Sequence, residues 1–155
     1  MGRIYSVPMK AVSATLAQDL WNIIAGANMA LAIHSITLGQ KNLTAVEMWS
    51  LTLRRFPVTV TNGTGGTAPT PAKHNFNDAA ATFTARMNDM TTRASTTGTA
   101  VDLPCDAMNV LNGFFFLPPP EDRIIIAPNQ NLIVGLETPP SAAALLSGSI
   151  VVEEL

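Results

Sequence analysis

The chain predicts an all-β fold, a sandwich of two antiparallel sheets of jelly-roll type, and three observations carry that expectation. Short apolar segments with period-two alternation recur along the 155 residues. Glycine and proline corners separate them, and no βαβ rhythm of strands alternating with long amphipathic helices interrupts them. A chain of this length fits one domain, 1–155, and can bury about 68 to 70% of its unfolded surface. Its single cysteine, Cys105, excludes an intrachain disulfide framework and every multi-cysteine metal site, so packing alone must hold the fold.

The first segment, RIYSVPMKAV, is rich in Ile, Val and aromatic residues, and residues 1–10 form either a strand or an N-terminal arm; Pro8 marks an edge or a bulge. DLWNII and ALAIHSITL follow as strands. In the latter, Leu31, Ile33, Ser35 and Thr37 fall on one face and Ala32, His34, Ile36 and Leu38 on the other. After a turn at GQKN, EMWSLTLRRFPVTV turns Trp49, Leu51 and Leu53 to a core and the set ending in Arg54 to solvent or a partner, until Pro57 ends pairing. Residues 61–75, TNGTGGTAPTPAKHN, lack apolar periodicity and predict a flexible surface loop. In the next piece Ala80, Phe83, Met87 and Met90 have helical spacing. The alternation of Phe83, Ala85 and Met87 with Thr82, Thr84 and Arg86 nevertheless favours a strand.

The C-terminal third holds short strands at LNGFFFL, DRIIIAP, NLIVGLE and SGSIVVEE. In GFFFLPPPEDRIIIAP, Phe114 and Phe116 should point to one face and Phe115 to the other, and three prolines without N–H donors should end the pairing in a rigid corner. Such a corner between apolar strands is a poor polyproline ligand, which needs an exposed setting.

Charged residues make up only 13% of the chain, against roughly 25% in ordinary soluble domains, while hydrophobic residues reach 47%. Two surfaces fit these numbers: a neutral one built from Ser, Thr and Asn, or one largely occupied by neighbours. A formal net charge of -2, with Arg54-Arg55 the one basic pair, predicts no nucleic-acid partner. The N-terminal residues hold no apolar run of signal-peptide length, and later apolar segments are broken well short of a membrane span. A soluble product of the cytoplasm, without a membrane partner, is expected.

Motifs that would carry chemistry are missing. Two histidines, His34 in a strand and His74 in a loop, are too few for a cupin-like metal site, so no metal and no cofactor is expected. Asp106 beside Cys105 should raise the thiol pKa, not lower it. Ser147 in LSGSIV lacks the GxSxG elbow, and TNGTGG lacks the GK[ST] ending of a phosphate loop. The carboxylates show no spacing that selects a catalytic pair. The expectation is a non-enzyme with no catalytic residue. A carbohydrate- or receptor-binding module is the alternative, with Tyr5, Trp21, Trp49 and the phenylalanines as candidates, although their strand positions suit a core better.

Taken together, RIYSVPMKAV, AQDLWNII, IHSITLGQ, FFFLPPPEDRIIIAP and GSIVVEEL resemble small proteins encoded beside head genes in tailed bacteriophages and prophages. The resemblance implies a capsid cement or decoration protein on the exterior of the virion, a compact sandwich that binds the major capsid protein across capsomer boundaries. It also implies a homo-oligomer, a trimer rather than a dimer. Its motifs are strands and corners, so it carries over no contact residue. The candidate partner interface is therefore placed at Arg3, Tyr5 and Lys10 of the N-terminal arm and at the Arg54/Arg55 edge, with the 61–75 loop projecting outward. The arm could equally be an ordinary strand of the sheet.

Overall fold

The computed structural model describes residues 2–42, 46–57, 60–103 and 106–155; Cys105, and with it the expected inert thiol, lies outside them. The strands are β1 (Arg3–Ala14), β2 (Gln18–Ile24), β3 (Leu31–Gln40), β4 (Met48–Phe56), β5 (Val60–Thr61), β6 (Ala72–Lys73) and β7 (Thr84–Asp89). They continue as β8 (Ser95–Thr96), β9 (Val101–Asp102), β10 (Asp106–Asn109), β11 (Phe114–Phe116), β12 (Ile125–Ile126), β13 (Asn131–Leu136) and β14 (Ala144–Glu154).

Two antiparallel six-stranded sheets form the sandwich. Sheet I runs β11-β3-β14-β1-β6, with β12 also on β3, and sheet II runs β10-β4-β13-β2-β7, with β9 also on β4. The first four strands alternate between the sheets, and β10, β11, β13 and β14 return beside them, which is the strand order of a jelly roll. The segment at 77–95 is a strand over Thr84–Asp89, so its alternation, not its helical spacing, describes the backbone.

Alternation fills the core. On β14, Ala144, Leu146, Ile150 and Val152 are buried between the sheets while the residues between them face out. On β4 the inward set is Trp49, Leu51 and Leu53, and pairing stops at Phe56, before Pro57. Trp21 of sheet II donates its indole N–H to the Val7 carbonyl of sheet I at 3.2 Å, so this buried ring keeps its donor paired across the two sheets. Tyr5 stacks edge-on against Phe83, with centroids 5.6 Å apart. Each large side chain buried this way contributes about 1.5–3 kcal/mol.

Perfect alternation fails at the bulges. In β3 the ladder to β14 skips a residue between Ser35 and Ile33, so Leu31 and Ile33 point inward before it and Ile36 and Leu38 after it. The two-face assignment expected for ALAIHSITL is corrected accordingly: the buried set takes members from both faces. A second bulge in β1, between Met9 and Val12, places Ala11 at φ 49° and moves the buried set from Tyr5, Val7 and Met9 to Ala14. Pro8 sits just before it, past the end of β6, where β1 has no neighbour on that side to need its missing N–H.

Candidate functional site

The two outer faces of the sandwich differ. Over sheet II the chain folds back on itself: the β5–β8 ribbon and its flanks, residues 60–64 and 92–97, lie across the outer side of β2 and β13. Their apolar contact is small, with Phe56, Ala94 and Ile133 buried together and Val60 packed on them. The fastening is mainly polar. Asp19, buried in β2, accepts from the Ala94 backbone N–H at 2.6 Å and from Arg93 Nε at 2.9 Å. Arg93 then grips Glu137 with both terminal nitrogens at 2.7 Å, and Glu137 also accepts from Thr52 at 2.6 Å and Arg54 at 3.3 Å.

Gly135 makes this arrangement possible, because a Cβ there would stand 2.4 Å from Arg93 Nη2. The bidentate grip of Arg93 holds Glu137 at about 2, well below the carboxylate range, against the opposing effect of burial. The same pairing pushes the Arg93 guanidinium above its ordinary value. Beside this network Asn131 donates to Asn22 at 2.9 Å, Asn22 donates to Asn62 at 3.0 Å, and Gln18 donates to Asn88. Asp89, buried in β7 opposite Asp19, is held by both Nε and Nη2 of Arg86.

Residues 61–75, expected as a loop projecting outward, run from this cover to the edge of sheet I: bridges join Thr64 to Thr92 and Thr67 to Met87, and β6 pairs with β1. The glycines of this segment serve close approach: a Cβ on Gly66 would meet the Met87 carbonyl at 2.2 Å, and Gly65 adopts φ 89°.

Among the described residues sheet I has no such cover. Its outward residues are Ile4, Ser6 and Pro8 of β1, Ser35 and Thr37 of β3, and Ser147, Ser149 and Val151 of β14. None is charged. At the β11 edge Phe115 stands 66% exposed while Phe114 and Phe116 pack on the core, the split expected from the triplet. Ile125 of β12 and Leu117 extend the apolar edge. Charges lie only at the ends of this face. Lys10 is exposed at one, and at the other Glu153 bonds His34 Nε2 at 2.5 Å and stands 3.7 Å from Arg123. That pairing with His34 lowers the Glu153 pKa.

The five candidate interface residues separate. Residues 3–10 are no free arm: β1 lies between β14 and β6. Tyr5 is fully buried and cannot present its ring to a partner, because its inward phase in β1 directs it to Phe83 and its hydroxyl donates to the Ala79 carbonyl at 3.1 Å. Arg3 is engaged by Glu154 at 2.7 Å, and Arg54 lies in the network over sheet II. Lys10 is exposed on the open face of sheet I. Arg55 is half-buried near the β9 edge, beside Leu132 and Val101 in register, and makes no ion pair among the described residues. Sequence reasoning missed the Asp19–Arg93–Glu137 network. Its members lie on three segments far apart in the chain, and only Asp19, the one charged residue of β2, hinted at it.

Among the described residues no three His, Cys, Asp or Glu side chains gather as a metal group. No helix there is long and apolar enough to cross a membrane. The fold and its surfaces define a jelly-roll sandwich with one face covered by its own chain and the other open. No family model matches the sequence, and neither a curated protein nor a solved structure is found to resemble it.

Proposed function

We propose that this chain is a non-enzymatic structural protein of a tailed-phage virion, a cement or decoration protein that binds the major capsid protein on the outside of the shell. The open face of sheet I carries the reading. Between its charged ends it is a sheet surface of neutral, mostly small side chains with Phe115, Leu117 and Ile125 along one edge. A surface of this kind suits close packing against another protein, where charged side chains are depleted and aromatic anchors dominate. Jelly rolls occur among capsid proteins and lectins alike, so the fold adds compatibility and not specificity. Self-association, as the trimer that the sequence resemblance favours, belongs to the same proposal.

Co-sedimentation with shells assembled from a tailed-phage major capsid protein tests it. The wild-type chain should pellet with shells, and Phe115→Ser should reduce that fraction about tenfold. Absence of wild-type co-sedimentation would overturn the proposal.

A further inference from the structure

The two edges of sheet I carry opposite charges at the same level. β6 forms one edge and β11 with β12 the other, with β1, β14 and β3 between them. One row of pairing crosses the sheet from Lys73 through Tyr5, Val152 and Ile33, and ends where the Ile33 N–H donates to the Ile124 carbonyl at 3.0 Å. Lys73 is exposed at one end of this row. At the other end, just ahead of Ile124, Glu121 and Asp122 are exposed in the single 3-10 turn Pro120–Asp122. Lys73, Glu121 and Asp122 make no side-chain hydrogen bond or ion pair among the described residues. Charges beside them are already placed: Arg123 lies 3.7 Å from Glu153 and Arg3 2.7 Å from Glu154, and Asp78 is half-buried in the cleft that it lines with Arg3.

An adjacent row ends in apolar groups. It runs from the His74 N–H, which donates to the Ile4 carbonyl at 3.0 Å, through Glu153 and Ala32 to Ile125. Just past His74, Phe76 is 95% exposed on a turn closed on Asn75, whose side-chain and backbone oxygens accept from the N–H groups of Asn77 and Asp78 at 3.1 Å each. At the far end Ile125 is 45% exposed, and Leu117 beside the prolines is 62% exposed. Taken singly, such groups are ordinary on a protein surface. Their match is not: the same two rows end in a cation and an aromatic ring on one edge, and in carboxylates and aliphatic side chains on the other.

We propose that a second copy of this chain docks here edge to edge, the β6 edge of one copy against the β11/β12 edge of the next. Lys73 then faces Glu121 and Asp122, and Phe76 packs on Ile125 and Leu117. Moving one copy along the rows, without slippage along the strands, brings both sets together. β6 and β12 have two residues each, too few for a backbone ladder to hold a partner, so side chains supply the contact. The contact is heterologous, because each copy offers two different edges, and repeated addition closes a ring or grows a filament. A closed trimer requires a contact of this kind. The inference rests on the self-association included in the proposed function and not on shell binding, and Phe115 takes no part in it.

Sedimentation velocity of the full chain up to about 200 μM tests it, a range that populates contacts of micromolar Kd. The wild type should associate. Lys73→Glu should weaken that association about tenfold or more, and so should the double variant Glu121→Lys/Asp122→Lys, with melting temperatures unchanged because all three side chains are exposed. Mixed in equal amounts, the two variants should associate again, since each meets an edge of opposite charge only on the other. Phe76→Ser should weaken the wild-type contact by a similar factor. A wild type that stays monomeric overturns the proposal, as does association that the variants retain or that mixing fails to restore. Co-sedimentation of the wild type with shells is read separately, so either proposal can fail alone.

Discussion

The outer face of sheet II and that of sheet I are built from the same kind of strand, yet one is sealed by residues 60–64 and 92–97 and the other is left open. On the sealed face the outward positions of β2 and β13 carry Asp19, Asn22, Asn131 and Ile133, all buried. On the open face the outward positions carry serine, threonine and proline with Ile4 and Val151, all partly exposed. The difference teaches what each surface tolerates. A buried carboxylate is tolerable only with its partners already in place within the chain, whereas neutral groups tolerate water without any.

The largest effect should come from Asp19→Ala. It leaves Arg93 Nε and the Ala94 N–H without their acceptor while Arg93 keeps Glu137, so a loss of about 2 to 4 kcal/mol in urea unfolding is expected. Next comes Gly135→Ala. Its methyl would stand 2.4 Å from Arg93 Nη2 and push that side chain off Glu137, and a cost of about 1 to 3 kcal/mol should accompany loosening of residues 92–97, visible as faster amide exchange at Arg93 and Ala94.

The pH response separates the faces further. The Glu137 pKa is depressed in the fold from 4.5 to about 2, so its contribution is fully present above the unfolded value and is lost as pH falls toward the folded one. Thermal melts from about pH 5 to about pH 2 should therefore fall more steeply for the wild type than for Glu137→Gln, which has no such carboxylate to protonate. Equal slopes would remove Glu137 from the fastening. The smallest effect on folding is expected on the open face. Phe115→Ser should change unfolding free energy by no more than about 0.5 kcal/mol, while acting on association. A large loss of stability there would mean that the edge of sheet I belongs to the fold and not to a partner.

Much of the fold is legible in the residues. Trp49, Leu51 and Leu53 face the core as their alternation implies, and the phenylalanine triplet divides as a strand must divide it. The bulge of β3 was not legible, unlike that of β1 after Pro8: β3 changes phase near His34 with no proline or glycine to mark it, because the cause is the pairing with β14. The candidate interface was less legible still. Lysine and arginine look equally free in a sequence, and only the folded chain shows Arg3 and Arg54 committed to Glu154 and Glu137 while Lys10 stays in water.

The glycine-rich segment is the sharpest case. TNGTGGTAP has the composition of a flexible loop, and composition alone carries no other meaning. In the fold the same glycines let one backbone lie within touching distance of another, at Met87 and Thr91.

By itself the sequence determined that the chain would be extended strands in two layers, because a period of two is a local property that survives without knowledge of neighbours. Which face would be sealed and which left open was decided only by tertiary structure. That choice depends on Asp19, Arg93 and Glu137 meeting across 118 residues of chain, and no local pattern encodes a meeting of that length.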